Sequence, residues 1–291
     1  MAYIEIEDLI KVYKSKALEV VALRGLYMAV EKGEIVAIMG PSGSGKTTLL
    51  NILGGLDIPT AGTVIVNGGS LTGFTEKEMV KYRRNGVGFV FQFFNLVPTL
   101  NAWENIELPL RFAGVGGKKR TTRVDYLIDL VGLKSRRGSK PDELSGGEQQ
   151  RIAMAVALAN DPELILADEP TGELDTETGK QVLSIFKDLK EKYGKTIIIV
   201  THDERVAQIA DKMCTIVDGT IKEEKGKKSI KTKESNKRKK GEINKSDSAE
   251  PSKLLKSDNK WMILPIEGTD RYLKIEIVRK QGKKVKEKEI P

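Results

Sequence analysis

Apolar and polar positions along the chain fall into short runs that switch between strand and helix spacing. Tyr3-Ile4-Glu5-Ile6-Glu7 has the period of two expected of a strand. Glu34-Ile35-Val36-Ala37-Ile38-Met39 is an apolar run that stops at Gly40 and reads as a buried strand, as does Met213-Cys214-Thr215-Ile216-Val217. Val87-Gly88-Phe89-Val90-Phe91 is a further apolar run. Leu164-Ile165-Leu166-Ala167 and Thr196-Ile197-Ile198-Ile199-Val200 read as two central strands. Thr63-Val64-Ile65-Val66-Asn67-Gly68-Gly69 predicts a strand closing in a turn. Helices are predicted from Thr48 to Leu53, Val124 to Val131, Gln149 to Ala159 and Thr178 to Tyr193. Asn160-Asp161-Pro162 stops the third of these and Gly194 the fourth. Residues from about 95 to 140 read mostly as helix and loop, punctuated by Pro98, Pro109 and Gly114-Val115-Gly116-Gly117. Alternating strands and helices predict an α/β fold with a parallel sheet covered by helices.

Composition sharpens the boundary of this unit. The chain has 291 residues, enough for one large domain plus an appendage. Its net charge of +8 is unevenly placed. Residues 1–221 carry 27 Lys+Arg and 29 Asp+Glu, whereas 222–291 carry 22 and 12. A nucleic-acid reading of the basic balance therefore cannot apply to the first 221 residues. Lys225 to Ser257 is rich in Lys, Ser and Glu and has almost no aromatic residues, so it is expected to be a disordered linker within 222–257. Trp261–Ile266 and Arg271–Val278 predict a hairpin in an appendage at 258–291, with Lys283 to Lys288 as a third strand available to support it. The single cysteine, Cys214, excludes an internal disulfide. No apolar run approaches the roughly 20 residues that cross a bilayer, and the N-terminus lacks the basic and apolar blocks of a signal peptide. A cytoplasmic protein is expected.

The chemistry is concentrated where strands end. Gly40-Pro41-Ser42-Gly43-Ser44-Gly45-Lys46-Thr47 follows the 34–39 strand and precedes the helix that starts at Thr48. This is a phosphate-binding loop: its backbone amides can turn inward around phosphates, Lys46 can reach the β/γ-phosphates, and the Thr47 hydroxyl can ligate Mg²⁺. Asp168 stands at the end of a buried strand, where it can hold Mg²⁺ or its waters, and Glu169 follows it. Side chains alternate along a strand, so Glu169 needs the strand end to re-aim it. His202, the only histidine, follows the 196–200 strand, at the sheet edge where α/β proteins bind ligands. Gln92 ends another apolar run, and the loop after it, Phe93-Phe94-Asn95-Leu96-Val97-Pro98, is apolar enough either to meet another protein or to pack on the core. Leu144-Ser145-Gly146-Gly147-Glu148-Gln149-Gln150 opens a helix. Ser145 and Glu148 read as a capping box, which leaves two consecutive glycines that suit close approach to an anionic ligand.

Taken together, these motifs resemble the ATP-binding-cassette (ABC) ATPases, with all the expected motifs in order over about 1–221. Gly88–Gln92 and Glu169-Pro170-Thr171-Gly172-Glu173-Leu174-Asp175 look like the MacB/LolD/FtsE-type subgroup. The resemblance implies a P-loop NTPase core with a mostly parallel sheet, an antiparallel β subdomain, a helical subdomain carrying the signature motif, and here a basic C-terminal extension outside the family pattern. It implies ATP and Mg²⁺ as ligands. Residues 40–48 would cradle the phosphates, Tyr13 would stack on the adenine, and Thr47, Asp168 and Gln92 would surround the metal. Glu169 would be the general base and His202 would hydrogen-bond the γ-phosphate. Ser145, Gly146 and Gly147 would meet the ATP of a second copy, and Asp175, which also suits a helix N-cap, would contact that copy. The implied partners are a separate integral-membrane permease and a homodimer mate, placing the chain at the inner face of the membrane.

Rival readings are a non-transport ABC ATPase and an FtsE-like division regulator. Repair and chromosome types insert long coiled coils, and no heptad tract occurs here; translation-factor types carry two cassettes, and one occurs here. Lys237-Arg238-Lys239-Lys240 would permit contact with nucleic acid, the less favoured partner, or with anionic lipid at about 1 kcal/mol per basic residue. A solubilising linker is the simpler account.

Overall fold

The computed structural model describes residues 2–14, 19–226, 261–265 and 272–276. The chain divides into units 1–239 and 240–291. In the first unit, β3 (Ile35–Met39), β8 (Thr196–Val200), β7 (Leu164–Asp168) and β6 (Val87–Val90) are parallel, and β9 (Lys212–Val217) joins β3 on its other side, also in parallel. β10 (Thr220–Gly226) closes that edge antiparallel to β9, giving the six-stranded order β10-β9-β3-β8-β7-β6. A second, four-stranded antiparallel sheet has the order β2-β1-β4-β5, from β1 (Ile4–Lys14), β2 (Glu19–Val30), β4 (Ala61–Val66) and β5 (Gly69–Ser70). The mostly parallel core and the antiparallel subdomain both match expectation.

Apolar runs without a polar side can only be buried on both faces of a sheet. Val36, Ile38, Leu164, Leu166, Ile198 and Val200 pack with the antiparallel sheet and α1 (Lys46–Leu53). Their neighbours in sequence, Ile35, Ala37, Ile165, Ala167, Ile197 and Ile199, pack under α5 (Gly146–Ala157) and α6 (Thr176–Tyr193). That second cluster continues into α3 (Ala102–Phe112) and α4 (Gly117–Leu130) through Ile106, Leu110, Val124 and Leu127. Cys214 is buried in the first cluster, as its strand context predicts.

Several elements depart from the pattern. α2 (Glu76–Asn85) buries no side chain, so no apolar stripe announces it; its signal is the Thr75–Glu78 capping box. β2 alternates, but its register against β1 shifts near Leu9. Pro109 lies inside α3 and does not end it. β10 runs to Gly226, past the expected boundary at 221; residues 227–260, including the expected linker and its basic run, lie outside the described residues. In the second unit, β11 (Trp261–Pro265) pairs antiparallel with β12 (Tyr272–Glu276), as the hairpin reading expects. The joining turn and the suggested third strand at 283–288 lie outside the described residues.

Phe186, on α6, has no exposed surface and is among the largest fully buried side chains. Phe186→Ala should cost about 3–5 kcal/mol, read by denaturant titration.

Candidate nucleotide site

Parallel strands all end at the same sheet edge, so the loops after β3, β7 and β8 meet there. The loop after β3 leads into α1, whose N-cap is Gly45 with φ 102°. A Cβ on Gly45 would stand 2.6 Å from the Ala22 carbonyl oxygen, so both conformation and crowding demand glycine. Pro41, Ser42 and Gly43 form the exposed rim, while Ser44 and Lys46 are buried. Lys46 Nζ donates to the carbonyl oxygens of Gly40 at 2.8 Å and Pro41 at 2.9 Å. The buried Ser44 hydroxyl has no hydrogen-bond partner in the protein. A loop that buries an ammonium on its own carbonyls and leaves a hydroxyl unsatisfied is suited to an anionic ligand.

Thr47, at the start of α1, hydrogen-bonds Asp168 at the end of β7. The Asp168 carboxyl titrates above its ordinary range. Burial is the main cause and the Glu169 charge adds to it, against the Thr47 hydrogen bond and the Lys46 charge. A hydroxyl and a carboxylate are hard oxygen donors that suit Mg²⁺, which typically takes one or two protein ligands and completes its shell with phosphates and water.

Glu169 adopts φ 45°, in the left-handed region, while its amide still donates to the Val200 carbonyl at 2.9 Å. This backbone reversal re-aims its side chain toward the end of β8. Glu169 Oε2 accepts from Thr201 Oγ1 at 2.8 Å and from the His202 amide at 3.3 Å. Its Oε1 lies 3.0 Å from His202 Nδ1, and the His202 side chain is 75% exposed. Glu169 and His202 are thus brought together.

Other expected residues are placed differently. Gln92 donates to Glu173 Oε1 at 3.4 Å, so in this state its amide is engaged by the segment before Asp175. Phe93 is 72% exposed, as a loop meeting another protein would require, whereas Leu96 packs on the core. Asp175 caps α6: it accepts from the Glu177 and Thr178 amides at 3.0 Å and from the Thr178 hydroxyl at 2.6 Å, and these Thr178 bonds hold its carboxyl below the ordinary range. Tyr13 is 42% exposed, and its hydroxyl donates to Asp57 Oδ2 at 2.7 Å. Thr48 also hydrogen-bonds the Tyr13 phenol, which links the ring to the start of α1. Lys11 Nζ lies 4.8 Å from the centre of the Tyr13 ring and pairs with Asp57 at 2.5 Å. Lys11 and Asp57 were not legible as site residues, because 44 positions separate Asp57 from Tyr13. Thr201 stands beside His202 in sequence, but nothing local marks its hydroxyl.

Ser145 caps α5 with the Glu148 capping box, as expected. The two glycines after it then part company. A Cβ on Gly147 would fall 1.9 Å from Thr178 Cγ2, so that glycine is required by the packing of α5 against α6 within this chain. This packing demand sits beside the expected ligand contact at Gly147, because a backbone amide can face a ligand while the Cβ side faces Thr178. Gly146 would meet only ordinary contacts, with Phe94 at 3.7 Å and Leu174 at 3.9 Å, so no packing within this chain demands glycine there.

The family described as ABC transporter matches residues 23–172. An uncharacterized ABC transporter ATP-binding protein of Thermotoga maritima is 48% identical over 217 residues, covering 75% of this chain and 92% of that one. The lipoprotein-releasing system ATP-binding protein LolD of Bacteroides thetaiotaomicron is 48% identical over 202 residues, covering 69% and 93%. The dimeric, post-hydrolysis structure of the Methanocaldococcus jannaschii cassette MJ0796 bound to ADP and Pi matches with a TM-score of 0.72 and 42% identity, covering 77% of this chain and 98% of that one. The fold and the strand-end loops define a P-loop ATPase cassette. The chain belongs to the ABC transporter family, as an ATP-binding subunit similar to the LolD group.

Two outcomes test this geometry. Gly147→Ala should destabilise the chain by about 1–3 kcal/mol through overpacking, and adding Thr178→Ser, which removes the clashing methyl but keeps the hydroxyl, should recover most of that in a denaturant titration. Asp168 has a folded pKa above its unfolded one, so the stability it confers is greatest below the unfolded pKa and is lost as pH rises through the folded value. Asp168→Asn should therefore raise the Tm of the nucleotide-free chain at neutral pH by about 2–4 °C. The gain should fade toward about pH 3, where the carboxyl is protonated in both states.

Proposed function

We propose that this chain hydrolyses ATP as the motor subunit of a membrane transport complex, as one of two copies that enclose the nucleotide between them. The observation that carries the reading is the strand-end pair of contacts: Thr47 on Asp168, and Glu169 beside His202. One gathers donors for a phosphate-bound cation, and the other a base and a hydrogen-bond donor for the attack of water.

In this reading Lys46 leaves the Gly40 and Pro41 carbonyls to meet the β- and γ-phosphates, and the unsatisfied Ser44 hydroxyl gains an acceptor. Thr47 and Asp168 hold Mg²⁺, with Gln92 reaching it when released from Glu173. Bound Mg²⁺ would supply charge neutralisation on the phosphate oxygens. Tyr13, braced by Asp57, presents its ring to the adenine. Glu169 takes the proton of the attacking water and His202 hydrogen-bonds the γ-phosphate. Ser145, Gly146 and Gly147 of the second copy contribute the positive end of α5 to the same phosphate, and Asp175 contacts that copy.

Closure then depends on ATP, because the nucleotide touches both copies only when they meet. The MJ0796 cassette is dimeric with ADP and Pi bound, which supports a paired working form. LolD is named for a lipoprotein-releasing system, which supports a membrane permease as the partner that converts closure to work and holds the chain at the inner membrane face. The exposed Phe93 is the contact we assign to that partner. Among the described residues no helix is long and apolar enough to cross a membrane.

Glu169→Gln should keep ATP binding, lose hydrolysis, and accumulate as an ATP-loaded dimer in size-exclusion chromatography with light scattering. A variant that stays monomeric in saturating ATP would rule out the sandwich.

A further inference from the structure

We propose that Thr201 is the positioning residue for the Glu169 carboxylate, clamping one of its oxygens so that the other is presented to the reacting water. The proposal rests on the reading of Glu169 as the base, and its test separates the two.

The register supplies the starting point. Asp168 pairs with Val200 across β7 and β8, so the next residues along the two strands, Glu169 and Thr201, stand side by side at the strand ends. Glu169 has left the strand conformation with φ 45°, and its side chain would be free to sweep unless something caught it. Thr201 catches it with a 2.8 Å hydrogen bond to Oε2. The direction of that bond is settled by a second one, because the Asp203 amide donates to Thr201 Oγ1 at 3.0 Å. With its acceptor side occupied, the hydroxyl directs its proton at Glu169.

Thr201 is also suited to hold still. It is fully buried, so water does not compete for the hydroxyl, and its amide donates to the Ile38 carbonyl at 3.1 Å. Asp203, which orients it, is fastened in turn: Thr171 Oγ1 donates to Asp203 Oδ2 at 2.6 Å, and Arg205 Nε lies 2.9 Å and 3.0 Å from the two carboxylate oxygens. Arg205 Nη1 continues to the Thr176 carbonyl at 3.3 Å, in the first turn of α6. His202, three-quarters exposed, offers no comparable rigidity to Oε1. One carboxylate oxygen is therefore fixed by a buried hydroxyl, and the other meets only a side chain that is open to solvent.

A fixed base meets its substrate without reorganising, which acts on the chemical step and not on nucleotide affinity. In the full-length chain, Thr201→Val, which keeps the shape and removes the hydroxyl, should lower kcat for ATP hydrolysis about tenfold, as expected for loss of a charge-assisted hydrogen bond. KM for ATP and ATP-dependent dimer formation should stay at wild-type values, and Thr201→Ser should restore most of the rate. In the Glu169→Gln background, Thr201→Val should cause no further loss in single-turnover hydrolysis, because the group it positions is already gone. If circular dichroism shows Thr201→Val unfolded, Thr201→Ala carries the same comparison with Thr201→Ser. A folded variant with wild-type kcat, a matching rise in KM, a Thr201→Ser variant as slow as the valine, or full additivity with Glu169→Gln would each overturn the proposal. Wild-type hydrolysis by Glu169→Gln would overturn the base reading beneath it. Loss in Glu169→Gln without loss in Thr201→Val would overturn the Thr201 role alone.

Discussion

The parallel pairing of β3, β7 and β8 is the constraint on which the rest of the structure depends. Ile38 pairs with Val200, and Val200 with Asp168, so three chain segments far apart in sequence end at one level. Lys46, Asp168, Glu169, Thr201 and His202 all lie at or just beyond that level. Parallel strands need long crossovers, and here those crossovers hold the helices that bury the sheet's second face. The elements that stabilise the sheet therefore also deliver the reactive side chains to its edge.

Polar groups at this edge are held in graded fashion. Thr201 and Thr171 are buried and hydrogen-bonded, Asp168 is partly buried and titrates high because burial outweighs its Thr47 hydrogen bond and the Lys46 charge, and His202 is open to solvent. Burial works against the Asp203 carboxylate, but Arg205 and Thr171 outweigh it and hold its pKa below the ordinary value, so this acid serves as a fastener and stays ionised. Asp168 has less compensation, so burial keeps its pKa above the ordinary value. The contrast between two nearby aspartates separates an internal fixing from a binding site.

Gly146 and Gly147 show how neighbouring residues of one motif can differ in what the packing of this chain demands of them. Both follow a capping serine, and by local reasoning they are equivalent. Only the packing of α5 on α6 reveals that Thr178 occupies the space a side chain at 147 would need. Gly146 has room to spare and faces Phe94 and Leu174, neighbours from the Gln92 loop and the segment before Asp175. Three expected contact segments are thus gathered within one chain around a single small residue.

What the sequence determined by itself was whatever short-range physics can encode: apolar runs too uniform for a one-sided strand, the glycine loop between strand and helix, and the Ser145 and Asp175 caps. Each of these depends on residues within a few positions of one another. α2 escaped because it fully buries no side chain and offers the core only the half-buried Met79 and Tyr82, and β2 because a register shift interrupts its alternation. Tertiary structure alone decided the rest. Asp57 reaches Tyr13 across 44 positions, Thr201 reaches Glu169 across 32, and Gln92 meets Glu173 across 81. Such pairings depend on where strands end in space, and no local pattern of side chains carries that information.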